Sequence, residues 1–93
     1  MVGVRPKISP VPQRLKEARE RAGLSQRELG IRAGMDPGSA SARVNQYERG
    51  RHAPDFGTLA SIAHVLDLPV AYFYAVDDGL ATWIVQYKSD LDA

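Results

Sequence analysis

Apolar positions recur at helical spacing along this chain, and nowhere do they alternate as in a half-buried strand. Leu15, Ala18 and Ala22 make one stripe, predicting a first helix over about residues 12–22 with Pro12 in its first turn and Gly23 as its stop. In "LSQRELG" at 24–30, Ser25 followed by Glu28 is a capping box that opens a second helix after a very short turn. Leu29 and Ala33 face inward. Gly30 sits in mid-helix, where glycine costs about 1 kcal/mol relative to alanine, so another helix is expected to approach it closely. Gly34 stops this helix, and Met35 turns into the core. Asp36-Pro37 is an N-cap followed by proline at the first helical position, so the third helix is expected to start there and run to about Tyr47 or Glu48, with Gly50 behind it. Pro54-Asp55 caps a fourth helix carrying Leu59, Ile62, Ala63 and Leu66. Pro69 opens a short fifth with Val70, Phe73 and Tyr74. Leu80, Trp83, Ile84 and Tyr87 then give i, i+3, i+4, i+7, a sixth amphipathic helix. The fold class is all-α.

Ahead of these helices, "MVGVRPKISPVPQ" has prolines at 6, 10 and 12 and no period. It reads as a flexible basic arm over 1–11 carrying Arg5 and Lys7. The expected organisation is that arm, a helical domain over 12–76, and a C-terminal helix over 77–93 that serves dimerisation or folds back as a lid.

The third helix has an unusual wet face. Around Val44, the buried stripe is Ala40, Val44 and Tyr47. Ala42 and Gln46 point almost directly away from it, flanked by Ser39 and Arg43 on one side and Asn45 and Arg49 on the other. Solvated faces are usually mixtures of Glu and Lys. This one has no acid in its centre, and offers amides, guanidinium groups and small residues that allow close approach.

Composition narrows the chemistry. Ninety-three residues make one domain. With no cysteine there is no disulfide and no Cys-ligated metal, and His52 and His64 have no carboxylate cluster beside them, so no metal or cofactor is expected. His64, near the apolar stripe of the fourth helix, reads as a surface or boundary residue. No nucleophile–base pair or glycine-rich phosphate loop supports an enzyme. The absence of a long apolar run argues against a membrane span or signal peptide, leaving the cytoplasm as the expected location. The net charge of +1 hides an asymmetry: residues 1–52 carry eleven of the twelve Lys and Arg against five acids, a net of +6, and residues 53–93 carry one Lys against six Asp, a net of −5. One end is suited to meet an anion.

Arg19, "GLSQRELG" at 23–30, "VNQYERG" at 44–50, "PDFGTLASIAHVL" at 54–66 and "PVAYF" at 69–73 stand in an order and spacing that resembles the lambda-repressor-like helix-turn-helix proteins of the Cro/xenobiotic-response-element class, over about residues 13–74. The resemblance implies a five-helix domain of that kind, with the sixth helix as an addition. It has one departure: the stretch between Gly34 and Val44 is about four residues longer than the family pattern. We place the extra turn at the start of the third helix, with a longer inter-helix loop as the alternative.

By this resemblance the third helix enters the major groove of double-stranded DNA, whose base edges display a readable donor and acceptor pattern. The base-reading candidates are Ser39, Ser41, Ala42, Arg43, Asn45 and Gln46. Gln46 stands where the family commonly reads bases and can pair bidentately with adenine. Ser41 aligns with another such position but is turned partly toward the second helix. Arg43 is a reader or a phosphate clamp. The phosphate-binding candidates are Gln26, by family analogy and at a helix N-terminus that favours anions, then Arg27, Arg49, Arg51 and His52, with Arg14 as a peripheral contact. Arg5 and Lys7 reach into the minor groove, or the arm merely solubilises the chain. Arg19 and Glu48 match a family salt bridge that orients the recognition helix. Tyr47, Tyr72, Phe73 and Tyr74 read as core or interface rather than as stacking platforms.

The resemblance and the charge pattern imply a sequence-specific regulator, a repressor, binding a palindromic operator as a homodimer through Phe73, Tyr74, Leu80, Trp83, Ile84 and Tyr87. The alternative is an antitoxin-like or anti-repressor module whose main partner is another polypeptide held by the tail.

Overall fold

Local start signals decide where two of the helices begin. At Ser25 the capping box is complete: its hydroxyl accepts from the Glu28 amide at 3.0 Å, and the Glu28 carboxylate accepts from the Ser25 amide at 2.9 Å. Asp55 likewise accepts from the Thr58 amide at 2.7 Å. The computed structural model describes residues 9–92, and among them it has six helices and no strand: α1 Val11–Arg21, α2 Gln26–Arg32, α3 Ala40–Glu48, α4 Phe56–Leu66, α5 Val70–Tyr74 and α6 Asp78–Asp92. Among the described residues, no helix is long and apolar enough to cross a membrane.

The third helix starts later than Asp36-Pro37 suggests. That start signal makes one turn and no more. The Asp36 carboxylate accepts from the Gly38 amide at 3.0 Å, and its carbonyl accepts from the Ser39 amide at 3.0 Å. Ser39 then leaves helical geometry, at φ −120°, and α3 begins at Ala40. The extra residues therefore lengthen the α2–α3 turn, not α3. The register of α3 is held by packing: a Cβ added at Gly30 would lie 2.7 Å from the Cβ of Ala40. This is the close approach that glycine in mid-helix implied.

Leu15, Leu29, Val44, Leu59, Ile62 and Phe73 form the fully buried centre, joined by Ala18, Met35, Ala40, Tyr47 and Tyr72. One inward and one outward assignment need correction. Ala22 is exposed, because α1 has ended and its amide serves as the C-cap; Val11 and Arg14 fill that flank instead. Arg14 is no peripheral DNA contact. Its side chain is 8% exposed, donates to the Ala75 carbonyl at 3.0 Å, pairs with Asp78 at 3.0 Å, and lies over the Tyr72 ring. It thus ties α1 to the α5–α6 junction.

The tail folds back through one face of α6. Ala81 is buried and Ile84 and Val85 pack against the core. Lys88, which also bonds Asp92, reaches Asp67 at 3.2 Å, where α4 ends in the left-handed region at φ 55°.

Candidate functional site

α2 and α3 cross at Gly30 and Ala40, and this crossing fixes which side of α3 stays wet. Ala40, Val44 and Tyr47 are buried as the wheel requires. Ser41 and Ala42 are exposed, so Ser41 is less turned toward α2 than its wheel position suggests. Ser39, at the N-cap, is half-buried and makes no side-chain cap bond. Arg43 is half-buried and donates to the Tyr47 hydroxyl at 3.1 Å.

Gln46 is half-buried, and among the described residues its amide makes no side-chain hydrogen bond. Its backbone carbonyl has a different duty. It accepts from the Arg51 amide at 2.9 Å and from the His52 amide at 3.5 Å. Gly50, at φ 71°, lets the chain reverse so that these bonds close. The exposed Arg49, Arg51 and His52 are therefore carried on a turn pinned to α3 itself.

On the other flank, a polar groove is lined by Lys16, Arg19, Gln26, Asn45, Glu48 and Arg49. Arg19 and Glu48 form a bidentate pair at 2.6 and 3.0 Å, with side chains 12% and 4% exposed. Arg19 also donates to the Leu24 carbonyl at 2.9 Å. The bond to Glu48 holds the Arg19 pKa above its ordinary value despite burial. The pair fastens the end of α3 to α1.

Gln26 is placed differently from a free phosphate ligand. Its amide nitrogen donates to Asn45 Oδ1 at 3.2 Å and to Glu48 Oε1 at 3.1 Å. Both amide hydrogens are thereby committed, and the side chain keeps only its oxygen, an acceptor. An anion at the start of α2 would meet the backbone N–H groups of Gln26 and Arg27, since the capping box already uses those of Ser25 and Glu28. Arg27 is exposed beside them.

Lys16 is a site residue absent from the sequence-derived candidates. It stands three residues before Arg19 on α1, and that spacing on one helix face is the available signal. Arg5 and Lys7 lie outside the described residues.

The interface candidates divide. Phe73 is completely buried and belongs to the core, because α5 turns it inward beside Tyr72 with the rings edge to face. Ile84 is half-buried. Tyr74, Leu80, Trp83 and Tyr87 are exposed, and Leu91, not among the sequence candidates, extends their stripe. The α6 helix is thus lid on one face and open apolar surface on the next.

Comparison with known proteins agrees with this geometry. A family described as a helix-turn-helix domain matches residues 13–72. An uncharacterized HTH-type transcriptional regulator, y4dL of Sinorhizobium fredii (strain NBRC 101917 / NGR234), is 38% identical over 64 residues, which are 69% of this chain and 31% of that protein. The chain thus spans about a third of that relative's length. The crystal structure of transcriptional regulator BswR is similar at 52% identity and a TM-score of 0.81, over 85% of this chain and 78% of that one.

Proposed function

Since this chain belongs to the helix-turn-helix domain family of DNA-binding transcriptional regulators, we propose that it is a sequence-specific repressor that binds a palindromic operator as a homodimer, with α3 in the major groove. The observation that carries this reading is the double use of Gln46. Its amide is open on the wet face of α3, while its carbonyl holds the turn bearing Arg51 and His52. A base reader and a phosphate grip are then one rigid unit. Phosphate contacts supply register and much of the affinity, and base-edge contacts supply specificity.

Ser41, Ala42 and Gln46 face the base edges, with Asn45 beside them. Arg27, Arg49, Arg51, His52 and the N-terminal amides of α2 hold phosphates. One such unit reads only a few base pairs, too few to stand out among competing sites. Two units related by a two-fold axis double the readout and make the site palindromic. The exposed stripe on α6 supports the pairing, and its acidic surroundings keep it away from DNA. Repression requires only that the operator be occupied, in the cytoplasm where it lies.

Selection of bound sites from random duplex DNA tests this. The wild type is expected to select a palindrome. Gln46→Ala should cost roughly 1–3 kcal/mol on the selected site and relax one base pair per half-site. Arg51→Ala should weaken selected and random DNA alike and lower the salt slope by about one contact. A wild type that selects no DNA, yet forms a defined complex with another polypeptide, would favour the interaction-module reading.

A further inference from the structure

The groove between α2 and α3 contains a chain of hydrogen bonds whose direction is set at one end. Glu48 is paired with Arg19 and, as a carboxylate, can only accept. The atom of Gln26 that faces Glu48 Oε1 at 3.1 Å must therefore be its amide nitrogen. The same nitrogen faces Asn45 at 3.2 Å, so Asn45 must turn its oxygen toward it. The nitrogen of Asn45 is left with both hydrogens. Every buried side-chain nitrogen or oxygen among the described residues has a partner, and this nitrogen has none there, so it is reached from solvent. The usual ambiguity between the two ends of an amide is removed by the carboxylate at the head of the chain.

We propose that Gln26 is a specificity-determining residue that reads no base itself. It holds Asn45 with its acceptor occupied, so α3 presents only N–H donors at this position. Donors match the major-groove edge of guanine, with O6 and N7, or of thymine, with O4. They mismatch the amino group of cytosine. Bidentate pairing with adenine needs a donor and an acceptor together, and Asn45 lacks the second. Gln46, with both ends open, keeps that option. Gln26 is thus a positioning residue acting through Asn45, and Arg19 and Glu48 stand behind it. This inference rests on the DNA-reading function proposed above.

The experiment is site selection from random duplex DNA by the wild type, Asn45→Asp and Gln26→Ala, each first shown to melt cooperatively at the working temperature. Asn45→Asp keeps the bond from Gln26 through one oxygen and turns the other outward as an acceptor. One base pair per half-site, guanine or thymine for the wild type, should switch to cytosine, with a change in relative preference of about 5- to 150-fold. The added charge should also weaken binding uniformly, and that effect is separable from the switch. Gln26→Ala frees the amide to turn, so the same pair should broaden to admit adenine while the other pairs keep their preference. Uniform weakening by Asn45→Asp without a switch would make Asn45 a phosphate contact and overturn the proposal. So would a Gln26→Ala variant with unchanged preference, or one altered at other pairs. A wild type with a consensus beside such variants leaves the general function standing, and a wild type that selects nothing removes both.

Discussion

The backbone of Gly30 lies against Ala40 so closely that a Cβ added to Gly30 would stand 2.7 Å from the alanine Cβ and 3.0 Å from its carbonyl oxygen. Neither neighbour is the flexible end of a long side chain, so α2 and α3 would have to part. Overpacking of this kind costs typically about 1–3 kcal/mol, offset in part by the roughly 1 kcal/mol that alanine gains over glycine in a helix. Gly30→Ala is expected to lower the urea midpoint at constant m-value and to weaken DNA binding. A variant as stable as the wild type would show that the crossing can relax.

The Arg19–Glu48 pair gives a second prediction. Removing one partner strands the other in a part-buried site, so the cost stays below the roughly 3–5 kcal/mol of a fully buried pair. Arg19→Met and Glu48→Leu should each destabilise strongly, and the double variant should be more stable than Glu48→Leu alone. Urea denaturation of the four proteins measures the coupling. A single variant as stable as the wild type would show that the pair adds nothing.

Acid should loosen the helix starts. The Asp55 pKa is lowered from its ordinary 3.8, chiefly by the hydrogen bond from the Thr58 amide, and that of Glu28 is lowered from 4.5 by the bond from the Ser25 amide. A carboxyl depressed in the folded state binds its proton first in the unfolded chain. Its stabilisation is present above the unfolded value and is lost as pH falls through the folded one. Asp55→Asn keeps a comparable cap without the titration. Urea midpoints at about pH 5.5 and about pH 3 should differ less for this variant than for the wild type, and equal differences would remove Asp55 from the acid response.

The aromatic residues of the C-terminal half should separate by role. Phe73→Ala removes a fully buried ring and should cost about 3–5 kcal/mol in stability. Trp83 and Tyr87 are 65% and 55% exposed. Their joint replacement by alanine should leave the thermal midpoint nearly unchanged and convert a dimer to a monomer in sedimentation. A wild type that is monomeric at high micromolar concentration, with and without DNA, would refute the homodimer.

Residues whose partners are near in sequence are legible from the chain alone. The caps at Ser25 and Asp55, the Ala40–Val44–Tyr47 stripe and the tight spot at Gly30 all follow from spacings of a few residues. The start of α3 departs from expectation because Asp36-Pro37 is a true start signal that completes a single turn; only the Gly30–Ala40 contact shows where the helix resumes. Arg14 is unreadable for a different reason. Its burial depends on Tyr72, Ala75 and Asp78, some sixty residues away, and a charged side chain in an amphipathic helix gives no sign of such distant partners. Phe73 and Tyr74 are adjacent aromatics in a helix of five residues, too short for periodicity to say which one faces in. The polarity of Gln26 emerges only when three helices bring Arg19, Glu48 and Asn45 to one groove.

The reach of Arg14 bears on how this chain can be cut. A boundary after residue 76 looks natural in the sequence, since a short acidic linker precedes an amphipathic segment. Yet a truncated protein would lose Asp78, whose exposed carboxylate pairs with Arg14 at 3.0 Å, and would uncover the surface beneath Ala81. The sixth helix thus shares apolar contacts with the domain it follows. In modular terms, a chimera that takes the helix-turn-helix half is expected to melt higher when it carries the first turns of the tail, chiefly for the apolar contacts of Ala81, Ile84 and Val85.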